Sequence, residues 1–445
     1  MLLGAVLWVF ATTGGRQVFV KEVLGSAYDS QAEHFLRGDV DVDVDAIGAE
    51  AMIVNDHVRM YFGPFPALLR IPLNFLYPAG HGKWSRFSGF CAGTIALFAF
   101  AGLVRMALRS SPLSSCARNW LGNALVAGFA FGSPLLFLLG NLSIYDEAII
   151  WGFALAVAAL FFALRAQEAN GGALTRSLLG FSVCGLGALL SRVTFGAPFI
   201  LMAPLLGMRI ERKNRIVNFA ALLLPLAAGL LFQVLLNFAK FGSFTGATYD
   251  FYVDSVHREF AQKHGILNLN RVPYSFADYF SLAPPSFHFQ PPFFRVDRHW
   301  LPHSAPFSLP FSETFLSIPW CSGWLLAGAI IGTVFLLRSS RTDHFQRWIA
   351  AALFAQFICV LSYFALAQRY AADLYPFLIF CFMVFLSAGR MILIRMRHVV
   401  IGLVAISITI NSLATAFWLA SDPNLPSETR LFWSRIAGKR ITSIK

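Results

Sequence analysis

Acidic side chains are concentrated in one short stretch near the start of the chain. Asp29 and Glu33 are four residues apart, so on a helix the two carboxylates would share one face, and His34 lies beside them. A carboxylate held in this way can accept the proton of a hydroxyl group as that hydroxyl attacks a substrate. Four aspartates then alternate with apolar residues, which predicts an exposed strand with an acidic face and leaves a cation site as the alternative: Asp39, Asp41, Asp43 and Asp45.

A second set of ionisable side chains lies at the ends of long apolar segments. Asp146 and Glu147 open one segment, Arg192 separates two others, and Arg369 and Asp373 flank a later turn. Charge at this depth, near lipid headgroups, favours an enzyme that acts on a lipid-borne substrate. A transporter would instead carry polar residues or broken helices near the bilayer midplane.

The elements that must position these residues are membrane-spanning helices. Of 445 residues, 57% are hydrophobic and 13% are charged, whereas a soluble chain carries roughly 25% charged residues. A spanning helix needs about 20 apolar residues. We predict an all-α polytopic membrane protein with about eleven transmembrane helices, formed by a short apolar segment at 2–13 and by segments at 86–108, 119–140, 147–165, 174–190, 194–208, 217–238, 319–337, 348–368, 371–389 and 398–420.

The segment from Leu2 to Thr13 has three interpretations. A cleaved secretory signal is disfavoured because no Lys or Arg precedes the apolar run and no clear cleavage site follows it. The other two are a helix in the membrane interface and a first span, either shortened or beginning upstream of Met1. We favour the span because the topology requires it.

Lys and Arg are concentrated in alternate short loops, which predicts the topology. Fifteen of them lie in the loops at 105–118, 165–176, 209–215, 338–347 and 390–398. By the positive-inside rule these loops are cytoplasmic, in a multi-pass protein of the plasma (inner) membrane. The periplasmic or extracellular side then carries the chemistry. We divide the chain into a transmembrane module at 1–238 that includes a long outer loop at 14–85, an outer loop at 239–318, helices at 319–420 and an outer tail at 421–445.

The two long loops differ in composition. In the first, 51–62 is typical of two strands joined by a turn at Asn55 and Asp56, and 67–77 suits a short helix in the membrane interface. The second is rich in aromatic residues and proline, and its six basic residues balance six acidic ones, which excludes an electrostatic nucleic-acid surface. Its aromatic side chains either line a sugar or lipid groove or rest on the bilayer: Tyr249, Phe251, Tyr252, Phe287, Phe289, Phe293 and Phe294.

No cofactor is firmly implied by the sequence, and no metal site is predicted. The six cysteines show neither metal-binding nor disulfide spacing. His299 and His303 are four residues apart, but Pro302 interrupts a helix between them and no third zinc ligand is evident. A divalent cation is compatible with the acidic loop, although no ligand spacing supports it.

Four short motifs follow one another along the predicted outer face. They run from Tyr28 to Asp39, from Met60 to Leu69, from Ile144 to Ala148, and from Gln368 to Pro376. In order and sidedness they resemble the GT-C superfamily of bacterial-type membrane glycosyltransferases, which use polyprenyl-phosphate-linked sugars as donors. The likeness extends from the first span to about residue 380. Many members have Asp-Glu where this chain has Asp29 and Ser30, and related enzymes often end in a soluble outer domain that is longer than the tail here.

The resemblance implies transfer of a sugar to an acceptor hydroxyl, with inversion at the anomeric carbon. It makes Asp29 the general base, with Asp146 or Glu147 positioning the acceptor or acting as a second acid, and leaves open whether Glu33 shares the role. The implied partners are a polyprenyl-phosphate-linked sugar, a glycan, lipid or protein acceptor, and the bilayer.

Arginine is the expected ligand of the leaving phosphate, because its planar guanidinium donates two directed hydrogen bonds. Arg192 and Arg369 are the first candidates, and Arg59 and Arg70 the next. The residues expected to line the donor and acceptor groove are Tyr28, Tyr145, Tyr370 and Asp373. Simpler roles stay open: the arginines could pair with phospholipid, Glu147 could stabilise a helix N-terminus, and Asp373 could pair with Arg369.

Three other functions stay open. A lipid or polysaccharide transporter or flippase would show internal repeats and polar residues within its spans, and neither is clear here. A ligase or polymerase that joins whole lipid-linked glycans would act on the same face, so only product analysis distinguishes it. The third is a partner subunit without catalytic activity.

Overall fold

The protein is built almost entirely from α-helices. The computed structural model describes residues 2–109, 111–208, 210, 214–287, 294–295, 311, 313–338 and 344–436. Its α-helices are α1 (Leu2–Ala11), α2 (Ala27–Leu36), α3 (Val44–Ile47), α4 (Phe65–Leu76), α5 (Ser85–Leu108), α6 (Ser115–Phe131), α7 (Pro134–Gly140), α8 (Ile144–Glu168), α9 (Gly171–Ser191), α10 (Val193–Met208), α11 (Arg215–Phe241), α12 (Ser255–His264), α13 (Val272–Tyr279), α14 (Ile318–Arg338), α15 (His344–Leu361), α16 (Gln368–Ala371), α17 (Tyr375–Ala388), α18 (Arg390–Ser421) and α19 (Ser427–Ile436). Two antiparallel hairpins pair β1 (Met52–Val54) with β2 (His57–Arg59) and β3 (Ser286–Phe287) with β4 (Phe294–Arg295). Single 3-10 turns cover Gly48–Glu50, Pro78–Gly80, Tyr249–Phe251, Leu269–Arg271 and Ala372–Leu374.

The long apolar helices confirm the predicted all-α polytopic membrane fold. Within the described residues, eight helices are long and apolar enough to cross a membrane, or nine if the bent pair α6–α7 forms one span. The other two predicted spans are helical but shorter, since α1 has 10 residues and α10 has 16. At about 1.5 Å per residue, both fall below the roughly 30 Å thickness of a bilayer core.

Helix α8 is one of the two most enclosed spans. In its most apolar stretch, 83% of the residues are buried, compared with 22% in α11, which faces outward. Small side chains such as Ala154, Ala156 and Ala159 let neighbouring helices approach closely. The first turn of α8 carries Tyr145, Asp146 and Glu147, so the candidate site is built on a firmly held element.

A bend between α6 and α7 is fixed by side chains from other spans. The two helices meet at 46° around Gly132, and Pro134 opens α7. A break inside a membrane leaves backbone carbonyls that need donors. The Ser322 hydroxyl and the Trp324 indole donate to the Gly132 carbonyl at 2.7 and 3.1 Å, and the Asn411 amide donates to two neighbouring carbonyls. The bend therefore holds α7 and the start of α8 in place.

The first long loop combines a confirmed and a wrong prediction. The hairpin forms around Asn55 and Asp56, which both have positive φ values, as a tight turn between two strands requires. The predicted acidic strand over 39–45 is wrong: 39–43 is irregular and α3 begins at Val44. The reason is that the aspartates bond locally, since Asp39 accepts from His34 and from the Asp41 backbone, and such bonds compete with a strand ladder.

The second part of the first loop contains the predicted short helix. Phe75 and Leu76 at the end of α4 are 86% and 75% exposed, whereas Arg70 is fully buried. This helix follows Gly63, where a Cβ atom would lie 2.2 Å from the Ser191 carbonyl oxygen. Only glycine fits there, and this close approach brings the loop against the end of α9.

The second long loop is joined to the first by backbone pairing. Met52 forms a bridge with Tyr252, the Val253 amide donates to the Ala51 carbonyl at 3.1 Å, and the Lys240 ammonium donates to the Met60 carbonyl at 2.9 Å. Phe289, Phe293, His299 and His303 lie outside the described residues. The predicted tail forms a helix, α19, whose Trp433 ring packs against Phe10.

Candidate active site

Three of the predicted site residues form a buried ion cluster. Arg70 on α4 lies with its Nε 3.6 Å from Asp29 Oδ2 and its Nη2 2.5 Å from Glu147 Oε1. All three side chains have no exposed surface. Burial raises the pKa of the Asp29 carboxyl, and the charge of Arg70 opposes that rise. We call Asp29, Arg70 and Glu147 the sealed cluster.

The surroundings of the sealed cluster are also closed. The Tyr28 hydroxyl is buried and donates to the Ile144 carbonyl at 3.0 Å, which fixes α2 to the start of α8. Glu22 and Arg86 form a second buried ion pair nearby. The pKa of Glu22 is raised by burial to about 7, against the opposing effect of Arg86. These contacts hold the first loop on the helix bundle.

A cavity of about 780 Å³ lies between the two long loops and the adjacent ends of the spans. This volume is within the range of small-molecule sites, roughly 300–1,000 Å³. Of the described residues that line it, none belongs to the sealed cluster. The polar and aromatic lining includes Glu22, Glu50, Tyr61, Asn141, Ser143, Tyr145, Asp146, Tyr249, Tyr252, His257, Glu313, Tyr363, Arg369, Tyr370, Trp418 and Asp422.

Asp146 is the predicted acid that lines this cavity. Its Oδ2 accepts a hydrogen bond of 2.6 Å from the Ser143 hydroxyl, which holds the carboxylate at the start of α8. Its Oδ1 is buried and has no hydrogen-bond partner among the described residues. A buried oxygen without a partner is costly, so this atom is suited to accept a proton or hydrogen bond from a bound molecule. Glu147, one residue later, faces the sealed cluster instead.

Arg369 is the predicted arginine that lines the cavity. Its guanidinium carbon lies 4.8 Å from the ring centre of Tyr145 and 5.0 Å from that of Tyr370. Its two terminal nitrogens donate to the two carboxylate oxygens of Glu313 at 2.6 and 2.8 Å. The aromatic rings therefore fix the plane of the guanidinium, and its forked edge already holds an anion.

Arg192 lies beside the same tyrosine but belongs to a more buried pair. Its guanidinium carbon is 4.9 Å from the Tyr370 ring centre, and its Nε is 3.6 Å from Asp373. Asp373 is buried and accepts a hydrogen bond of 2.5 Å from Thr194. Tyr370 thus contacts two arginines, each with its own carboxylate, and only Arg369 lines the cavity.

Glu50 is a cavity residue that the sequence reasoning missed. It accepts hydrogen bonds from the hydroxyls of Tyr61, Tyr145 and Tyr252, at 2.8, 2.5 and 2.6 Å. These three tyrosines come from the first loop, α8 and the second loop, so one carboxylate joins all three walls. No local pattern marked Glu50, because its partners are up to 202 residues away. Tyr252, for which the sequence leaves a groove and a bilayer contact open, lines the cavity.

The other predicted site residues lie away from the cavity. Glu33 is 43% exposed and pairs with His81, with 2.9 Å between the nearest nitrogen and oxygen. Arg59 pairs with Asp41, which also contacts His57. Within the described ranges, no group of three or more His, Cys, Asp or Glu residues is placed to hold a metal ion.

Comparison with known proteins gives one structural likeness. No protein-family model matches the chain, and no curated protein matches its sequence. The structure is similar to the crystal structure of ArnT from Cupriavidus metallidurans in the apo state, with 13% sequence identity and a TM-score of 0.35. The match covers 98% of this chain and 83% of that chain. This likeness is too weak to assign a function or a residue role.

Proposed function

We propose that the protein is a membrane glycosyltransferase that moves a sugar from a polyprenyl-phosphate donor to an acceptor hydroxyl on the non-cytoplasmic side of the plasma membrane. The observation that carries this proposal is that Asp146 and Arg369 line the same aromatic cavity beside the ends of the spans. A proton acceptor and a phosphate ligand are the two groups that this reaction requires. The acceptor, a glycan, a lipid or a protein, would enter from outside the bilayer.

Each group has a defined task in this reaction. As the acceptor oxygen forms its bond to the anomeric carbon, its proton passes to Asp146 Oδ1, which the described residues leave without a partner. The bond between the anomeric carbon and the phosphate oxygen breaks, and its electron pair stays on the phosphate. Arg369 binds that added charge in the proposed reaction, and direct in-line attack inverts the anomeric centre.

The lining of the cavity suits a carbohydrate. Tyr61, Tyr145, Tyr249, Tyr252 and Tyr370 supply flat apolar rings with hydroxyl groups at their edges. Such rings can pack against the apolar face of a sugar while their hydroxyls bond to its polar edge. The cavity lies at span ends rather than within the bundle, which favours an enzyme at headgroup depth over a transporter.

The role of general base differs from the sequence-based expectation. The resemblance gives that role to Asp29, but the Asp29 carboxylate faces Arg70 in the sealed cluster and does not line the cavity. We therefore assign proton acceptance to Asp146, and to the sealed cluster the task of holding α2 and α4 against α8. Arg192 and Asp373 would fix Tyr370 from its other side.

Deletion of the gene tests the class of reaction. We expect mass spectrometry of the deletion strain to show an accumulated polyprenyl-phosphate sugar and an envelope glycan or glycolipid that lacks one sugar residue. Expression of the natural chain, but not of Asp146→Asn, should restore the product. The matched control is Glu33→Gln, which changes an exposed carboxylate outside the cavity and should restore it fully. An unchanged pool of lipid-linked sugars and glycans would overturn the proposal, and accumulation of whole lipid-linked glycans would indicate a ligase or polymerase.

A further inference from the structure

The forked edge of Arg369, formed by its two terminal nitrogens, is already occupied in this conformation. Tyr145 and Tyr370 pack against the guanidinium, and Glu313 takes both terminal nitrogens. A bidentate carboxylate occupies the same positions that two phosphate oxygens would occupy. A donor phosphate can therefore use this fork only by displacing Glu313.

The two partners of this ion pair are held very differently. The Arg369 side chain is 14% exposed, whereas that of Glu313 is 48% exposed. Glu313 is anchored by its backbone, whose amide donates to the Leu366 carbonyl at 2.8 Å, so its carboxylate can leave without movement of the chain. Arg369 therefore stays in position, whereas the Glu313 carboxylate can be displaced by another anion.

Charge decides how Glu313 competes with each phosphate in the reaction. A polyprenyl-phosphate sugar is a phosphodiester with one negative charge, equal to that of Glu313. When the bond to the sugar breaks, the leaving group becomes a phosphate monoester, which carries about −1.5 to −2 charges at pH 7. Glu313 therefore competes almost evenly with the donor, whereas the leaving phosphate binds Arg369 more strongly, so release of the product is the step that a competing carboxylate can assist.

We infer that Glu313 holds the phosphate position on Arg369 between turnovers and returns to it to expel the polyprenyl-phosphate product. This inference rests on the proposed function, because it assigns the displaced anion to the donor and the product of that reaction. Glu313 is then a residue of the catalytic cycle that touches the same guanidinium as the reacting phosphate but takes no proton and forms no bond to the sugar.

Binding of the product alone tests the inference without any transfer reaction. The probe is a short-chain isoprenyl monophosphate added to the purified full chain in detergent, with affinity measured by calorimetry or thermal shift. Removal of the competing charge in Glu313→Gln should tighten binding roughly three- to tenfold. Glu313→Asp keeps the charge on a shorter side chain, so its affinity for the monophosphate should lie between those of the natural chain and Glu313→Gln. Glu259→Gln is the matched control, since Glu259 is an exposed acid on α12 of the same loop.

Kinetics provide the second measurement. With Glu313→Gln, the rate of a single turnover should stay unchanged, while the steady-state rate should fall and inhibition by the polyprenyl-phosphate product should increase, because release is slowed. Equal or weaker binding of the monophosphate to Glu313→Gln would overturn the inference. If this variant binds the monophosphate more tightly but no sugar is transferred by the natural chain, the proposed function fails and the role of Glu313 at Arg369 stands.

Discussion

The sealed cluster and the cavity contain the same kinds of residues but differ in access. In the cluster, Arg70 is enclosed between Asp29 and Glu147, and none of these side chains is exposed. In the cavity, Arg369 meets a half-exposed Glu313, and Asp146, although its side chain is buried, belongs to the cavity lining. A closed ion triad contributes to holding helices together, whereas a half-exposed ion pair beside a cavity can exchange partners.

The two regions meet at the first turn of α8. Asp146 and Glu147 are adjacent, and consecutive helix residues point about 100° apart, so one faces the cavity and the other faces Arg70. This pair of neighbouring acids at a helix start therefore does not act as a unit.

The largest effect is expected when the Asp146 carboxylate, which belongs to the cavity lining, is replaced with an amide. Asp146→Asn should lower the transfer rate by roughly 10²–10⁴-fold, because an amide cannot accept the acceptor's proton. The measurement is the initial rate with purified protein and lipid-linked donor. Asp29→Asn is the paired variant: its product yield per folded molecule should stay within about tenfold of the natural chain, since Asp29 does not line the cavity.

These two variants decide between the geometry and the sequence-based expectation. A well-folded Asp29→Asn protein without activity, beside an active Asp146→Asn protein, would return the role of base to Asp29. Folding of both is checked by size-exclusion chromatography and thermal unfolding in the same detergent.

The next largest effect concerns stability rather than rate. Arg70→Met leaves the Asp29 and Glu147 carboxylates buried without a counter-charge, which should lower the free energy of unfolding by about 3–5 kcal/mol. Combining it with Asp29→Asn and Glu147→Gln removes both unpaired charges and should recover much of that loss. Thermal unfolding in detergent measures both. A stable Arg70→Met protein would mean that the cluster is not sealed.

Sequence reasoning could predict the helical fold, because the length of an apolar segment depends on local composition. The sidedness of the charged loops stays a prediction. Each predicted apolar segment overlaps a helix, as for 86–108, which corresponds to α5. The boundaries are less accurate, since α18 begins at Arg390 rather than at 398. The partners of the charged residues could not be predicted. Arg369 bonds to Glu313, 56 residues earlier, and Glu50 to Tyr252, 202 residues later, and no periodicity reports such contacts. The acidic alternation at 39–45 was misleading because side-chain bonds to neighbouring groups replaced a strand ladder.

A smaller effect is expected from removing the cavity guanidinium. Arg369→Ala should reduce turnover roughly 10²-fold, since one directed donor to the leaving phosphate is lost, and should weaken donor binding. Arg192→Ala is the matched control, because Arg192 contacts the other side of Tyr370 and pairs with buried Asp373. It should affect thermal stability more than donor affinity. Donor titrations on both variants measure this contrast, and an equal loss of donor affinity in both would place Arg192 in the phosphate site as well.

The smallest effect is a pH dependence at the boundary between the two regions, where Glu22 lines the cavity and pairs with buried Arg86. Burial raises the pKa of this carboxyl from 4.5 to about 7 in the folded protein, although Arg86 opposes the rise. Between those two pH values, Glu22 binds more protons in the folded protein than in the unfolded chain. The contribution of Glu22 to the free energy of unfolding should therefore fall as pH rises from 4.5 to about 7, and it should stay level above pH 7. Glu22→Gln should remove this pH-dependent contribution to stability. The measurement compares the thermal unfolding temperatures of Glu22→Gln and the natural chain between pH 4.5 and about pH 7. Glu33→Gln, at an exposed carboxyl, provides the control, and parallel profiles for the natural chain and Glu22→Gln would show that Arg86 keeps Glu22 ionised throughout.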